Sequence, residues 1–310
     1  MKLFCYAAAL VIGIGALTAC SSTGGNQQTT AGAKSTVAGK VADGYLSNAV
    51  VFLDKNANYQ LDANEPTTTT DQTGSFTLSI DLVDVGRYPI VVLAVKNQTI
   101  DLDTHQAVAN TYVLSIHAVS VTATTNGSLT GMVSNFISPI STLIREVLEA
   151  NPGMTFAEAS AQVRNQLNIP ANVRIHGDYI FGSYSGNNRS DYQRMHQVAQ
   201  EMAGIMGEQS GLVMNDRTPQ LGRYRQMLGQ IGNNLPQIRD NLNQGVGWGS
   251  SMSAIHDRIR NSVAGVPASA RFRNISSLFN NMTSHDSFWN MSGGAMHPNN
   301  RHMRQSRSQR

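Results

Sequence analysis

Ala49-Val50-Val51-Phe52-Leu53, followed by Asp54-Lys55-Asn56-Ala57-Asn58-Tyr59-Gln60-Leu61-Asp62-Ala63-Asn64-Glu65, is a short apolar run that stops at a polar loop. Similar runs, rich in Val, Ile, Thr and aromatics and separated by turn residues, recur from Val37 to about Thr125. They predict strands over Thr36–Val41, Ala49–Leu53, Ser75–Ile80, Ile90–Val95, Thr111–Ser115 and Ala118–Thr124, and so a small β-sandwich over 37–125. Asp71-Gln72-Thr73-Gly74 reads as a hairpin loop with its glycine at positive φ. Beyond residue 125 the pattern turns helical. Pro139 suits the first position of a helix, and Ile140, Leu143, Ile144, Val147 and Leu148 form its apolar stripe through Ala150. Thr155-Phe156-Ala157-Glu158 is a capping box that opens a second helix, ending near Leu167. Neither stripe is wide enough to stand alone, so both helices are expected to pack on the β-domain. Residues 168–189 are loop-rich. Further helices are expected over Ser190–Met206, Gln220–Ile231, Pro236–Asn243, Met252–Val263 and Ile275–Met282. The expected class is therefore β + α: a small β-sandwich, then an all-α helical region over 126–283, with a flexible N-terminal tether and a C-terminal tail.

In the loop, oxygen-bearing side chains fall at Asp54, Asn56, Asn58, Gln60, Asp62 and Glu65. These are positions 1, 3, 5, 7, 9 and 12 of a twelve-residue loop, the ligand spacing of an EF-hand calcium loop. A loop wrapped around a hard cation turns alternate side chains inward, and a terminal Glu closes the shell with both oxygens. Leu61 at position 8 also fits. Tyr59 occupies position 6, where Gly normally permits the sharp turn. Two readings stand: a Ca²⁺ site of the weak extracellular type, with Kd on the order of 10⁻⁴–10⁻³ M, and a solvated Asn/Asp-rich turn.

Gly39 through Asp54, with Asp43-Gly44-Tyr45-Leu46 inside it, then the Asn-rich loop to Glu65-Pro66 and Asp71-Gln72-Thr73-Gly74-Ser75-Phe76, resembles the calcium-loop-bearing B-type or carboxypeptidase-regulatory-like β-sandwich modules of bacterial surface proteins. Ile137-Ser138-Pro139-Ile140-Ser141-Thr142-Leu143 resembles the segment that often follows such a module in extracytoplasmic lipoproteins. The resemblance covers roughly residues 37–205 and implies a binding or structural role without assigned chemistry.

The first residues carry an address. Lys2, an apolar run from Leu3 to Leu17, and small residues before Cys20 make a secretory signal over 1–19, too short to span a bilayer. Leu17-Thr18-Ala19-Cys20 resembles the lipobox of bacterial lipoproteins, which implies acylation at Cys20 and membrane anchoring by several chains. Ser21 after the cysteine favours the outer membrane by that resemblance, on its periplasmic or cell-surface face. Residues 20–36 lack apolar periodicity and read as a tether with a reach of roughly 20–25 Å.

Composition narrows the chemistry. The only cysteines among the 310 residues are Cys5 and Cys20, which leaves the fold no internal disulfide, cysteine-zinc site or thiol nucleophile. The net charge of +3 conceals a division: residues 21–165 hold 7 Lys/Arg against 12 Asp/Glu, a balance of −5, and residues 166–310 hold 15 against 8, a balance of +7. Ten of the thirteen methionines follow residue 165, and Met195, Met202, Met206 and Met227 at helical spacing read as core filler. The tail over 284–310 is aperiodic. Its Met291, Met296, His297, His302 and Met303 are the thioether and imidazole mix that soft Cu(I) prefers. Arg301, Arg304, Arg307 and Arg310 suit contact with an anionic surface instead.

There is no G-x-S-x-G, H-E-x-x-H or Walker loop. The pairs His256-Asp257 and His285-Asp286 have no identifiable nucleophile and read as surface polar residues. The expected protein is a non-enzymatic lipoprotein with no catalytic residues. It would be anchored to the outer membrane and carry a structural calcium, with an envelope protein or anionic polysaccharide as partner and no nucleic acid. Two alternatives stay open: a periplasmic or surface copper-binding protein using the tail, and a hydrolase whose Ser, His and acid converge from distant positions.

Overall fold

The structure, a computed structural model, describes residues 33–123, 135–184, 187–245 and 250–268. The predicted helix over Ile275–Met282, the tail with its candidate copper ligands, the signal segment and Cys20 lie outside the described residues. The strands are β1 (Lys34–Val41), β2 (Leu46–Ser47), β3 (Val50–Leu53), β4 (Thr67–Thr69), β5 (Ser75–Asp81), β6 (Ile90–Ala94), β7 (Ile100–Asp101), β8 (Gln106–Ala107), β9 (Tyr112–Ile116) and β10 (Phe136–Ile137). Then come helices α1 (Pro139–Ala150), α2 (Phe156–Leu167), α3 (Tyr179–Tyr184), α4 (Arg189–Glu208) and α5 (Ser210–Val213), the ribbon β11 (Met214–Asn215) and β12 (Thr218–Pro219), and helices α6 (Leu221–Asn243) and α7 (Ser250–Ala264). This is a β + α chain, as the sequence leads one to expect.

The two larger sheets run β4-β3-β6-β9 and β10-β1-β5. In the first, β6 pairs antiparallel with both neighbours, Val51 opposite Val92 and Val92 opposite Leu114. Every residue of β6 and β9 is buried, whereas β5 alternates, with Phe76, Leu78 and Ile80 inside. Continuous burial means cover on both faces; alternation means one face in water. Helix α1 supplies cover on β9. Ser138 and Ser141 cap it reciprocally, and its first turn is stitched to the strand by Ser115 N–H donating to Thr142 Oγ1 at 2.8 Å and by Ser141 Oγ donating to the Ser115 carbonyl at 2.9 Å. Helix α6 reaches the same strand through the Tyr224 hydroxyl, 3.0 Å from the Val113 carbonyl. Strands and helices share one core, to which Met195, Met202, Met206 and Met227 all belong.

Several elements differ from the expectation. No strand covers Ala118–Thr124: Ala118–Ser120 is a 3₁₀ turn whose first N–H groups are met by His117, with Val119 N donating to His117 Nδ1. The turn at Asp71–Gly74 does place Gly74 at φ 73°, but it links β4 to β5, which lie in different sheets, so it is no hairpin. Residues Phe136–Ile137 return to the β layer and pair parallel with β1. Gly39 makes that possible, since a Cβ there would lie 2.0 Å from the Asn135 carbonyl oxygen. The predicted break before Pro236 is absent, and α6 runs through it. Proline removes the N–H that Gly232 would accept, and Gln166 Nε2 donates to that carbonyl at 3.3 Å instead. Helix α3 lies in a stretch read as loop, and a two-residue ribbon interrupts the helical region. Among the described residues no helix is long and apolar enough to cross a membrane.

Candidate functional site

The loop after β3 folds around its own oxygens. Asp54 accepts from two backbone N–H groups, Asn58 at 2.9 Å and Tyr59 at 3.1 Å. Asn56 Oδ1 accepts from Asn58 N at 3.2 Å and Asn58 Oδ1 from Gln60 N at 2.7 Å. Glu65 closes the loop, with one oxygen on Lys55 N at 2.6 Å and the other on Asp62 N at 3.1 Å. Asp62 Oδ2 is where Asn56 and Asn58 meet, their amide nitrogens 2.7 and 3.0 Å from it. Of the six predicted ligands, Asn56, Asn58 and Asp62 therefore meet one another through the amide nitrogens, whereas Asp54 and Glu65 are held on backbone N–H groups of the loop. Gln60 enters through its backbone N–H; position 7 of such loops offers its carbonyl rather than its side chain. Leu61 departs from the spacing argument, being 44% exposed.

An amide or carboxylate oxygen that accepts one N–H keeps a second lone pair, so these contacts orient the donors without exhausting them. The set is all oxygen and partly anionic, which fits a hard cation such as Ca²⁺ rather than a thiophilic metal. The loop's three carboxylates, Asp54, Asp62 and Glu65, are not gathered at one point: among the described residues, no group of three or more His, Cys, Asp and Glu is arranged to hold a metal. Burial pushes the carboxyls of Asp54 and Glu65 up from their ordinary values; Arg145 and then the backbone N–H groups of Tyr59 and Asn58 pull Asp54 back, as those of Asp62 and Lys55 do Glu65.

Tyr59, at the position where glycine is usual, adopts φ 62°. Its side chain turns inward, leaving it 1% exposed. The ring lies under the Arg145 guanidinium, 3.9 Å from its centroid, and 5.2 Å from the ring of Tyr224 at a 59° tilt. Beneath the loop is a cluster the sequence reading missed. Arg145, wholly buried, donates through Nε to Glu149 at 2.6 Å and holds Nη2 3.7 Å from Asp54. Arg225 of α6 also donates to Glu149 and approaches Glu146 at 4.0 Å. Glu146 is pushed up to about 7 by burial, against the pull of Arg225. Burial acts on Glu149 too, but Arg145 and Arg225 outweigh it and hold that carboxyl below the ordinary range. The signal available in the sequence was Arg145, Glu146 and Glu149 interleaved with an apolar helical stripe, with Arg145 and Glu149 at i,i+4 spacing.

The other titratable groups are arranged differently. A small cleft is lined by Ile116, His117, Ser120, Phe136, Ser141, Ile144, Phe156 and His176. Its serines donate to backbone carbonyls, Ser120 to His117 and Ser141 to Ser115 and Ser138, and His117 Nδ1 accepts from Val119. No acid lines it, so the Ser, His and acid of the hydrolase alternative do not converge there. His256 does not pair with Asp257: it lies between Glu201 at 2.7 Å and Glu208 at 2.8 Å. Asp43 accepts from the Tyr112 hydroxyl at 2.6 Å and is pushed up to about 7 by burial. Comparison with protein-family models, curated proteins and solved structures returned no match.

Proposed function

We propose that the chain is an exported, lipid-anchored envelope protein of the outer membrane, acting as a non-enzymatic binding or structural module, with a structural Ca²⁺ in the loop 54–65. The metal reading is supported by the spacing of Asp54, Asn56, Asn58, Asp62 and Glu65 and by the hydrogen bonds that hold these side chains within the loop. A bound Ca²⁺ would supply positive charge among these carboxylates and tie the two ends of the loop together. The chain's part is to fix the donors: Asp54 at the end of β3, Glu65 on the N–H of Lys55, and Tyr59 inside the core. The anchoring reading rests on the lipobox-like segment ending at Cys20.

Two measurements test the proposal. The thermal midpoint should rise in millimolar Ca²⁺, and Asp54→Ala/Glu65→Ala should lose that response; a wild-type protein indifferent to Ca²⁺ refutes the metal reading. Palmitate fed to the producing cells should label the wild type and not Cys20→Ala, and equal labelling of both refutes the anchor.

A further inference from the structure

The 3₁₀ turn after β5, Leu82–Asp84, is inside out. Its acid is buried, Asp84 being 6% exposed, while the neighbouring aliphatic residues Leu82 and Val83 are 54% and 68% exposed. Lys55 Nζ, 2.7 Å from Asp84 Oδ2, compensates the buried charge. Isolated apolar residues on a surface need no explanation, but these two are adjacent and lie where the chain enters the fold. Leu82 N–H donates to the Ala33 carbonyl at 2.8 Å, and the β1–β5 ladder ends beside it with Lys34 opposite Asp81. Cys20 precedes Ala33 by thirteen residues. We infer that this corner is a membrane-docking surface, with Leu82 and Val83 entering the headgroup boundary of the phospholipid bilayer that holds Cys20. This rests on the anchoring reading and adds how the folded part meets the lipid.

The surroundings of the turn suit a lipid surface. Tyr88 is half-buried, with the Arg87 guanidinium 5.6 Å and Lys55 Nζ 6.0 Å from its ring centre. Tyrosine at the headgroup level, and Lys and Arg reaching outward past apolar side chains, are what bilayer interfaces select. The corner carries Lys34, Lys55 and Arg87 against Asp81 and Asp84. Lys34 holds Asp81 at 2.9 Å and Lys55 holds Asp84, which leaves the exposed Arg87 for an anionic headgroup. Two aliphatic side chains alone hold a free protein on lipid only weakly. Tethering changes that. At ~5–6 Å × √n a thirteen-residue chain has a typical reach of about 20 Å, so docking becomes an intramolecular step at an effective concentration on the order of millimolar.

The test tethers the chain by other means, so that it does not depend on acylation. Residues 20–310, carrying Cys20→Ser and a hexahistidine tag ahead of residue 20, are held on vesicles of phosphatidylcholine and phosphatidylglycerol that contain a nickel-chelating lipid. Val83→Cys then supplies the single thiol for a nitrobenzoxadiazole label, with Arg260→Cys on α7 as the control position. On vesicles the label at residue 83 should shift to the blue and lose most of its quenching by aqueous iodide, and the label at residue 260 should do neither. Added to the chain labelled at residue 83, Leu82→Ser should lower the ratio of docked to free protein about tenfold, because about half of that residue remains to be buried. Arg87→Gln should lower it about fivefold on these vesicles and leave it unchanged on phosphatidylcholine alone. Equal quenching of residue 83 on vesicles and in solution overturns the inference, as does a Leu82→Ser chain that docks like its parent. A blue shift that grows with protein concentration in the absence of vesicles identifies a second copy as the occupant and overturns it too. Absence of palmitate on Cys20 in cells overturns the anchoring reading, and with it the bilayer as occupant, whatever the vesicles show.

Discussion

Replacing Tyr59 separates backbone strain from side-chain burial at one residue. Its φ of 62° puts a bulky residue in the left-handed region, which costs a non-glycine residue about 1–2 kcal/mol. The conformation persists because it drives the ring into the core, under Arg145 and against Tyr224. Tyr59→Ala removes a fully buried aromatic, which typically costs about 3–5 kcal/mol, and keeps most of the strain. Tyr59→Gly removes the same ring and relieves the strain, so it should be about 1 kcal/mol more stable than the alanine variant. That order reverses the usual one, in which glycine is the worse substitution by about 0.5–1 kcal/mol. Tyr59→Phe is the internal control. The hydroxyl is buried without a hydrogen-bond partner, so its removal should be neutral or stabilising by about 1 kcal/mol. Urea unfolding followed by far-ultraviolet circular dichroism measures all three. If Tyr59→Gly unfolds before Tyr59→Ala, the account of the loop backbone is wrong. If Tyr59→Phe loses more than about 1 kcal/mol, the hydroxyl has a hydrogen-bond partner and the account of the cluster is wrong.

His256 gives a pH test: hydrogen bonding to Glu201, opposed by burial and aided by Glu208, raises its pKa. A raised folded-state value means the stabilisation is complete below the ordinary histidine value and is lost as pH climbs through the folded one. Wild-type stability should therefore fall, relative to His256→Gln, as pH rises above the ordinary histidine value and through the folded one, and parallel pH profiles would count against a protonated clamp. Pro236→Ala restores an N–H within α6 and should raise stability by about 1–3 kcal/mol in denaturant unfolding; a loss would show that the Gln166 contact to Gly232 matters more than the helix bond. Gly39→Ala forces a Cβ to within 2.0 Å of a backbone oxygen and should cost more than about 3 kcal/mol, with a thermal midpoint near the wild type refuting the close approach of β1 and Asn135.

Elements whose signal is local were readable in the sequence. Helix α1 spans Pro139–Ala150 and α2 ends at Leu167, as their proline, capping residues and stripes require. The helix break expected before Pro236 failed because the missing bond is made good by Gln166, 66 residues away, which no local pattern encodes. The 3₁₀ turn at Ala118–Ser120 was misread for the opposite reason: Ala118, Val119 and Val121 have strand-forming character, but His117 caps a turn there. In the loop, alternation picked out side chains that bond within it, Asn56 and Asn58 on Asp62 and Glu65 on Lys55 N. Asp54's second partner was hidden, since Arg145 lies on a helix 91 residues later, and a charge inside an apolar stripe looks like a solvated one until the neighbouring helix is in place.

The division of charge along the chain acquires a physical meaning from the same contacts. If the acidic and basic halves were matched to each other, arginines after residue 165 would pair with carboxylates before it. Arg225 does so, with Glu146 and Glu149, and His196 meets Asp103 at 2.7 Å. Arg194, Arg239 and Arg260 pair instead with Asp191, Asp240 and Asp257 of their own half. Arg174, Arg189 and Arg217 are exposed and take part in none of the ion pairs among the described residues. Folding thus uses the opposite charges sparingly, at a buried junction where Arg225 of α6 pairs with Glu146 and Glu149 of α1, and leaves both signs on the helical surface, where Glu208, Asp216 and Asp257 are exposed along with those arginines.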